Sequence, residues 1–76
     1  MQMKEMQPGE KGRVLGIKNT QPHFRRRLLT FGMTPGAQFE ILRVAPLGDP
    51  IEIRVRGSFM SIRRDEADLL DVERTE

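Results

Sequence analysis

Apolar and polar residues alternate most regularly between Ile51 and Arg56. Ile51, Ile53 and Val55 fall on one face, and Glu52, Arg54 and Arg56 on the other. A period of two predicts a half-buried strand with a charged outer face. Residues 58–63 follow across Gly57 and read as its hairpin partner. Upstream, Ala37, Phe39 and Ile41 alternate with Gln38, Glu40 and Leu42. The pattern then slips, because Leu42 and Val44 are the next apolar pair with Arg43 between them. An alternation that changes face predicts a bulge or a bent strand. Residues 12–17 are short and mostly apolar and predict a first strand. Val72, just behind Leu69-Leu70, predicts a short closing one.

One helix interrupts the strands. Pro22 suits a first helical position. Phe24, Leu28 and Phe31 share a face, and Gly32 stands where a left-handed C-terminal cap is expected. Arg25, Arg26 and Arg27 cannot all point inward. A single further turn is expected at residues 64–68. The remaining punctuation is Gly and Pro: Pro8-Gly9, Pro35-Gly36 and Gly48-Asp49-Pro50. About five short strands, tight turns and one short helix predict a mainly β protein, a small SH3-like barrel. Closing the sheet limits its exposed edges.

Length sharpens this picture. Seventy-six residues make one domain, residues 1–76. A chain this short buries about 60–65% of its extended surface, which leaves little interior for a substrate cavity of several hundred Å³. Function is therefore expected on the outer surface. The chain has no cysteine, which excludes disulfides, thiolate metal sites and cysteine nucleophiles. The first eight residues have no apolar core of a signal peptide, and no apolar run approaches the ~18 residues of a membrane span. The expected location is cytoplasmic.

The net charge of +2 hides an asymmetry. Residues 11–64 carry eleven Lys and Arg against Glu40, Asp49 and Glu52, whereas residues 65–76 carry six acids against Arg74. A basic body attracts anionic partners. Alternatively, the two ends neutralise each other in the fold.

Catalytic chemistry finds no footing. His23 is the only histidine, and Ser58 and Ser61 lack a nucleophile-elbow context. Asp65, Glu66 and Asp68 would splay over one helical turn, with Asp65 stabilising the helix start. No general acid-base arrangement is visible, so no enzyme is expected and no catalytic or cofactor-binding residue is assigned. No metal ligand is assigned either. Met1, Met3 and Met6 have the spacing of a soft-metal motif, but a terminal segment is often mobile. There is no phosphate-binding glycine loop. Gly12 and Gly16 lie in a strand pattern, where glycine marks a bend or a close backbone approach.

Two surface readings remain. A nucleic-acid-binding barrel would use Arg25, Arg26, Arg27, Arg54, Arg56 and Arg63. It lacks Tyr and Trp, and Phe24, Phe31 and Phe39 all sit at expected core positions, leaving only Phe59 for stacking. Nucleic acid is therefore the less favoured partner. The same lack argues against a proline-peptide groove. The other reading centres on residues 45–50, Ala-Pro-Leu-Gly-Asp-Pro. Leu47 there is either a partner-docking tip, stiffened by two prolines, or a cap on the barrel end.

The run Leu28-Leu29-Thr30-Phe31-Gly32-Met33-Thr34-Pro35-Gly36, followed by Val44-Ala45-Pro46-Leu47-Gly48-Asp49-Pro50-Ile51, resembles the FeoA family over residues 8–74. Leu69-Leu70-Asp71-Val72-Glu73 is similar to that family's closing strand. The resemblance implies an SH3-like barrel. It also implies a regulatory or supporting role in bacterial Fe(II) uptake, through the cytosolic, GTP-hydrolysing part of the FeoB transporter. The family also occurs behind the DNA-binding domain of metal-dependent repressors, and the stand-alone form is expected here. Partner contacts are then expected at Pro46, Leu47, Arg25, Arg26 and Arg27. No small-molecule substrate and no membrane insertion are expected, and self-association is left open. The two alternatives to transporter docking are nucleic-acid binding and a transition-metal-responsive domain built on His23 and acidic residues.

Overall fold

The computed structural model describes residues 1–18 and 22–75. Five strands, β1 (Lys11–Ile17), β2 (Gln38–Val44), β3 (Ile51–Val55), β4 (Ser58–Ile62) and β5 (Leu70–Arg74), form one antiparallel sheet in the order β4-β3-β2-β1-β5. Met60 and Ile62 on one edge share a buried cluster with Leu70 and Val72 on the other, and with Val14, Phe39, Ile41 and Ile53 between them. A single sheet can bring both edges to one core only by curling, which gives the expected small barrel. The β2–β3 register slips between Ile41 and Arg43, at the place where the apolar alternation changes face. A second slip falls between Val14 and Gly16 on β1.

Helix α1 (Pro22–Thr30) starts at the expected proline. Its end is a Schellman cap: Met33 N–H donates to the Leu28 carbonyl (2.9 Å) and Gly32 N–H to that of Leu29 (3.0 Å). Gly32 has φ +88°, which other residues adopt only at a cost. The reversal buries Leu28 and Met33 completely and throws Phe31 outward. Phe31 is 40% exposed and Phe24 is half-buried, so the expected apolar face is realised fully only at Leu28. Pro35 and Gly36 form a type II turn, with Gly36 at φ +91° and Ala37 N–H donating to the Thr34 carbonyl (2.9 Å).

The N-terminal segment corrects an expectation. Instead of a loose terminus, residues 3–5 form a 3-10 turn, and Met3 and Met6 belong to the core. Met1 extends the sheet by one residue: its carbonyl accepts from Val72 N–H (3.0 Å) and its amino group donates to the Val72 carbonyl (3.1 Å). The outer edge of β5 is thus closed from within the chain.

One polar contact joins elements far apart in sequence. Glu66, in the single-turn helix α2 (Arg64–Ala67), is only 4% exposed. One carboxylate oxygen accepts from Arg27 Nη1 (2.6 Å), and the other from the backbone N–H of Arg63 (3.0 Å). Arg27 Nη2 also donates to the Ser61 carbonyl on β4 (3.0 Å). This guanidinium ties α1, α2 and β4 together.

Two expectations for stability follow. A Cβ on Gly12 would lie 2.7 Å from a Phe39 ring carbon and 2.9 Å from the Glu73 carbonyl, while one on Gly16 would meet nothing within 4 Å. Gly12→Ala should lose about 2 kcal/mol in urea unfolding and Gly16→Ala less than about 0.5 kcal/mol. Equal effects would show that the close approach is not a constraint. Arg27→Ala strands the Glu66 carboxylate and should cost about 2–3 kcal/mol, below the full penalty of a wholly buried pair because Arg27 itself reaches solvent. Arg25→Ala, measured in the same way, should change stability by less than about 0.5 kcal/mol.

Candidate docking surface

The loop between β2 and β3 is held by three hydrogen bonds. Gly48 N–H donates to Ala45 (2.7 Å), which makes a β-turn with Pro46 and Leu47 at its centre. Ala45 N–H donates to the Pro50 carbonyl (3.1 Å) across the loop base. The Asp49 carboxylate accepts from Arg64 N–H (3.1 Å), which anchors the loop to the start of α2. Gly48 has φ +83°, supplying a turn conformation that a leucine there would resist. Pro46 is exposed, and Leu47 is 91% exposed. The barrel-cap alternative for Leu47 is therefore excluded. A fixed loop presents an aliphatic side chain to solvent.

The three arginines divide. Arg25 and Arg26 are exposed and form no ion pair among the described residues. Arg27 points the other way and is engaged with Glu66 and Ser61. It still borders the loop: Arg27, Ser61, Arg63, Asp49 and Pro50 line one open groove of about 410 Å³. The structure thus brings Arg27 and the loop base to one place. Arg25 and Arg26 stand on the solvent side of the same helix.

Both readings of the charge asymmetry hold in part. Four of the tail acids are paired: Glu66 with Arg27, Asp68 with Lys4 (3.8 Å), Asp71 with the N-terminal amine (3.5 Å) and Glu73 with Arg13 (3.3 Å). Two arginines of the sheet are paired locally, Arg54 with Glu40 and Arg43 with Glu52. Among the described residues, Lys11, Lys18, Arg25, Arg26, Arg56, Arg63 and Arg64 have no such partner, against the unpaired acids Glu5, Asp49 and Asp65, so the charge left over is net basic.

Of the three phenylalanines expected in the core, Phe39 is buried and Phe31 is not. Phe59, left open by the sequence, is 70% exposed on the outer face of β4, opposite Arg54. Phe31 is exposed too and lies under the Arg27 guanidinium, 5.9 Å from ring centre to Cζ. The strand period puts residues 59 and 61 outward, so the exposure of Phe59 was readable from Met60 and Ile62 facing in.

Among the described residues, no three His, Cys, Asp or Glu side chains gather where they would hold a metal ion, and His23 lies against Phe24 with ring centres 4.6 Å apart. Among the described residues, no helix is long and apolar enough to cross a membrane.

Comparison with known proteins agrees with this architecture. A solution structure of the FeoA protein from Chlorobium tepidum is 37% identical with a TM-score of 0.91, covering 100% of this chain and 71% of that one. The zinc complex of Stenotrophomonas maltophilia FeoA, described as a prokaryotic SH3 domain protein, is 21% identical with a TM-score of 0.81 over 96% of this chain and 89% of that one, a likeness of fold. A curated relative in Porphyromonas gingivalis is a fusion of Fe(2+) transport protein A with the Fe(2+) transporter FeoB. It is 29% identical over 73 residues, 96% of this chain, and the chain spans 8% of that protein's length. Residues 1–74 match the FeoA domain, and the chain belongs to the FeoA family.

Proposed function

We propose that this domain is a non-enzymatic accessory of bacterial Fe(II) uptake that docks, on the cytosolic side, on the GTP-hydrolysing part of a FeoB-type transporter. The observation that carries the reading is Leu47, almost wholly exposed on a loop fixed by two prolines and three hydrogen bonds. Ordering that loop on binding costs little entropy. Burying the leucine contributes about 2 kcal/mol, enough for more than a tenfold change in affinity. The fused relative supports the partner, because joining the two proteins in one chain raises their effective concentration without any new contact.

Pro46 and Leu47 form the apolar contact in this reading. Arg25 and Arg26 supply steering charge, and Arg27 holds the helix that carries them. The domain supplies shape and charge to its partner and no reacting group.

Leu47→Arg should weaken binding to the purified cytosolic domain at least about tenfold, while circular dichroism and the thermal midpoint stay unchanged. Arg25→Glu with Arg26→Glu should slow association and flatten its salt dependence. A folded Leu47→Arg protein that binds with unchanged affinity would remove the loop from the interface.

A further inference from the structure

The two edges of the sheet are finished differently. The β5 edge is closed by Met1 and carries Asp71, Glu73 and Arg74. The β4 edge, Ser58–Ile62, carries no charge, no proline and no bulge. Charge, proline and bulges are three of the usual devices that keep an edge from pairing; a covering helix is another, and α1 reaches this edge through Arg27 at the Ser61 carbonyl. The exposed apolar residue of the edge is Phe59.

The backbone groups on that edge can be assigned from the turn. Arg56 (φ 52°) and Gly57 (φ 78°) form a two-residue turn with both central residues at positive φ. Val55 and Ser58 are then a hydrogen-bonded pair, and so are Ile53 with Met60 and Ile51 with Ile62. The N–H and C=O groups of Phe59 and Ser61 must point away from β3. The Arg27 contact agrees, since it reaches the Ser61 carbonyl from outside the sheet. Among the described residues, that leaves the N–H and C=O of Phe59 and the N–H of Ser61 without a strand partner.

Helix α1 runs beside this edge. Arg27 meets Ser61, and Gly32, just past the helix, lies against Arg56 at the β3–β4 turn, where a Cβ would stand 3.0 Å from Arg56 Cδ. The edge is therefore flanked by Arg56 at one end and Arg63 and Arg64 at the other, with Phe31 and Arg27 along the helix side. On the outer face of the sheet, Leu42 and Phe59 form the apolar part of a hollow of about 390 Å³ that Glu52 and Ser61 also line, the Glu52 carboxylate being held by Arg43 (3.2 Å).

We infer that the β4 edge accepts an extended, acidic segment of a partner protein as an added sixth strand. The open main-chain groups supply the affinity, Phe59 and Leu42 receive an outward apolar side chain of the guest, and the arginines at both ends select carboxylates. Charge excludes the obvious competitor. Pairing β4 with its own copy about a two-fold axis would set Arg56 of one chain against Arg63 and Arg64 of the other, a like-charge contact. This names the chemistry of a partner segment for the docking reading above and depends on that reading only for which protein carries it.

The test needs no transporter. The full chain, labelled with nitrogen-15, is titrated with a capped peptide Thr-Glu-Val-Glu-Val-Glu-Thr, with its lysine counterpart, and with single-stranded oligothymidylate. The expected result is a set of shifts centred on the Phe59 and Ser61 amides and the Arg27 side chain, at millimolar acidic peptide, at least tenfold weaker for the lysine peptide. Ser61→Pro removes an outward N–H and an exposed hydroxyl, and Met60 before it is already extended. It should keep the fold and bind the acidic peptide at least tenfold more weakly. Should that variant fail to fold, Phe59→Glu places a repelling charge at a position 70% exposed and should weaken binding to the same extent. No shifts at the edge, equal binding of the two peptides, undiminished binding by a folded variant, or edge shifts with the oligonucleotide alone would each overturn the inference.

Discussion

The guanidinium of Arg27 is the contact on which the arrangement of this small barrel depends. It spans 39 positions of sequence to reach Glu66, and it closes on Ser61 as well. A four-residue helix such as α2 cannot hold itself in water, because nucleation costs more than one turn returns. Its buried carboxylate supplies what is missing: one oxygen satisfies the Arg63 N–H at the helix start, and the other fixes α1 against the edge of β4. A buried carboxylate is costly unless it is both paired and hydrogen-bonded, and Glu66 is both. The same orientation explains the rest of the arginine run. Successive helical residues are about 100° apart, so turning Arg27 toward the barrel turns Arg25 and Arg26 toward solvent.

That division of labour extends to the charges as a whole. Four acids of the tail are paired inside the fold, by Arg27, Lys4, Arg13 and the chain's own amino terminus. Exposed pairs of this sort each contribute well under 1 kcal/mol, so their larger consequence is where charge is left over. What remains is net positive, and its arginines lie on α1, at the β3–β4 turn and beside α2. The apolar loop tip and the uncharged strand edge sit within that field. Residues that hold the fold and residues that can meet a partner are thus largely separate.

The strands and turns were legible because their signals are local. Alternation marks β3, its slip marks the β2 bulge, and Gly32 and Gly36 stand where only a positive φ completes the cap and the turn. Family resemblance added the expectation of a transporter partner, which periodicity could not supply. Three features were hidden for one reason: each depends on residues distant in sequence. Met3 and Met6 enter the core only because β5 offers Met1 a place in the sheet. Phe31 shares the helical period of Phe24 and Leu28, but the cap at Gly32 turns the chain before that residue can be buried. The role of Arg27 requires Glu66. Sequence left Leu47 between two readings, and only the hydrogen bonds of its loop decide that it faces outward.

The two sheet edges show what 76 residues can and cannot cover. Closing one edge took the amino-terminal segment, together with two methionines buried beneath it. Among the described residues no segment pairs with the outer side of β4, which α1 meets through Arg27 at the Ser61 carbonyl. A short chain buries too small a fraction of its surface to leave an unpaired, uncharged edge without consequence. Either the edge invites indiscriminate pairing, or something restricts what can pair. The arginines at its two ends supply that restriction: they oppose a second copy of this chain and favour a strand of opposite charge. On this argument the sparse protection of β4 is the condition for a selective interface, and the same cations that keep copies apart define the chemistry of the guest.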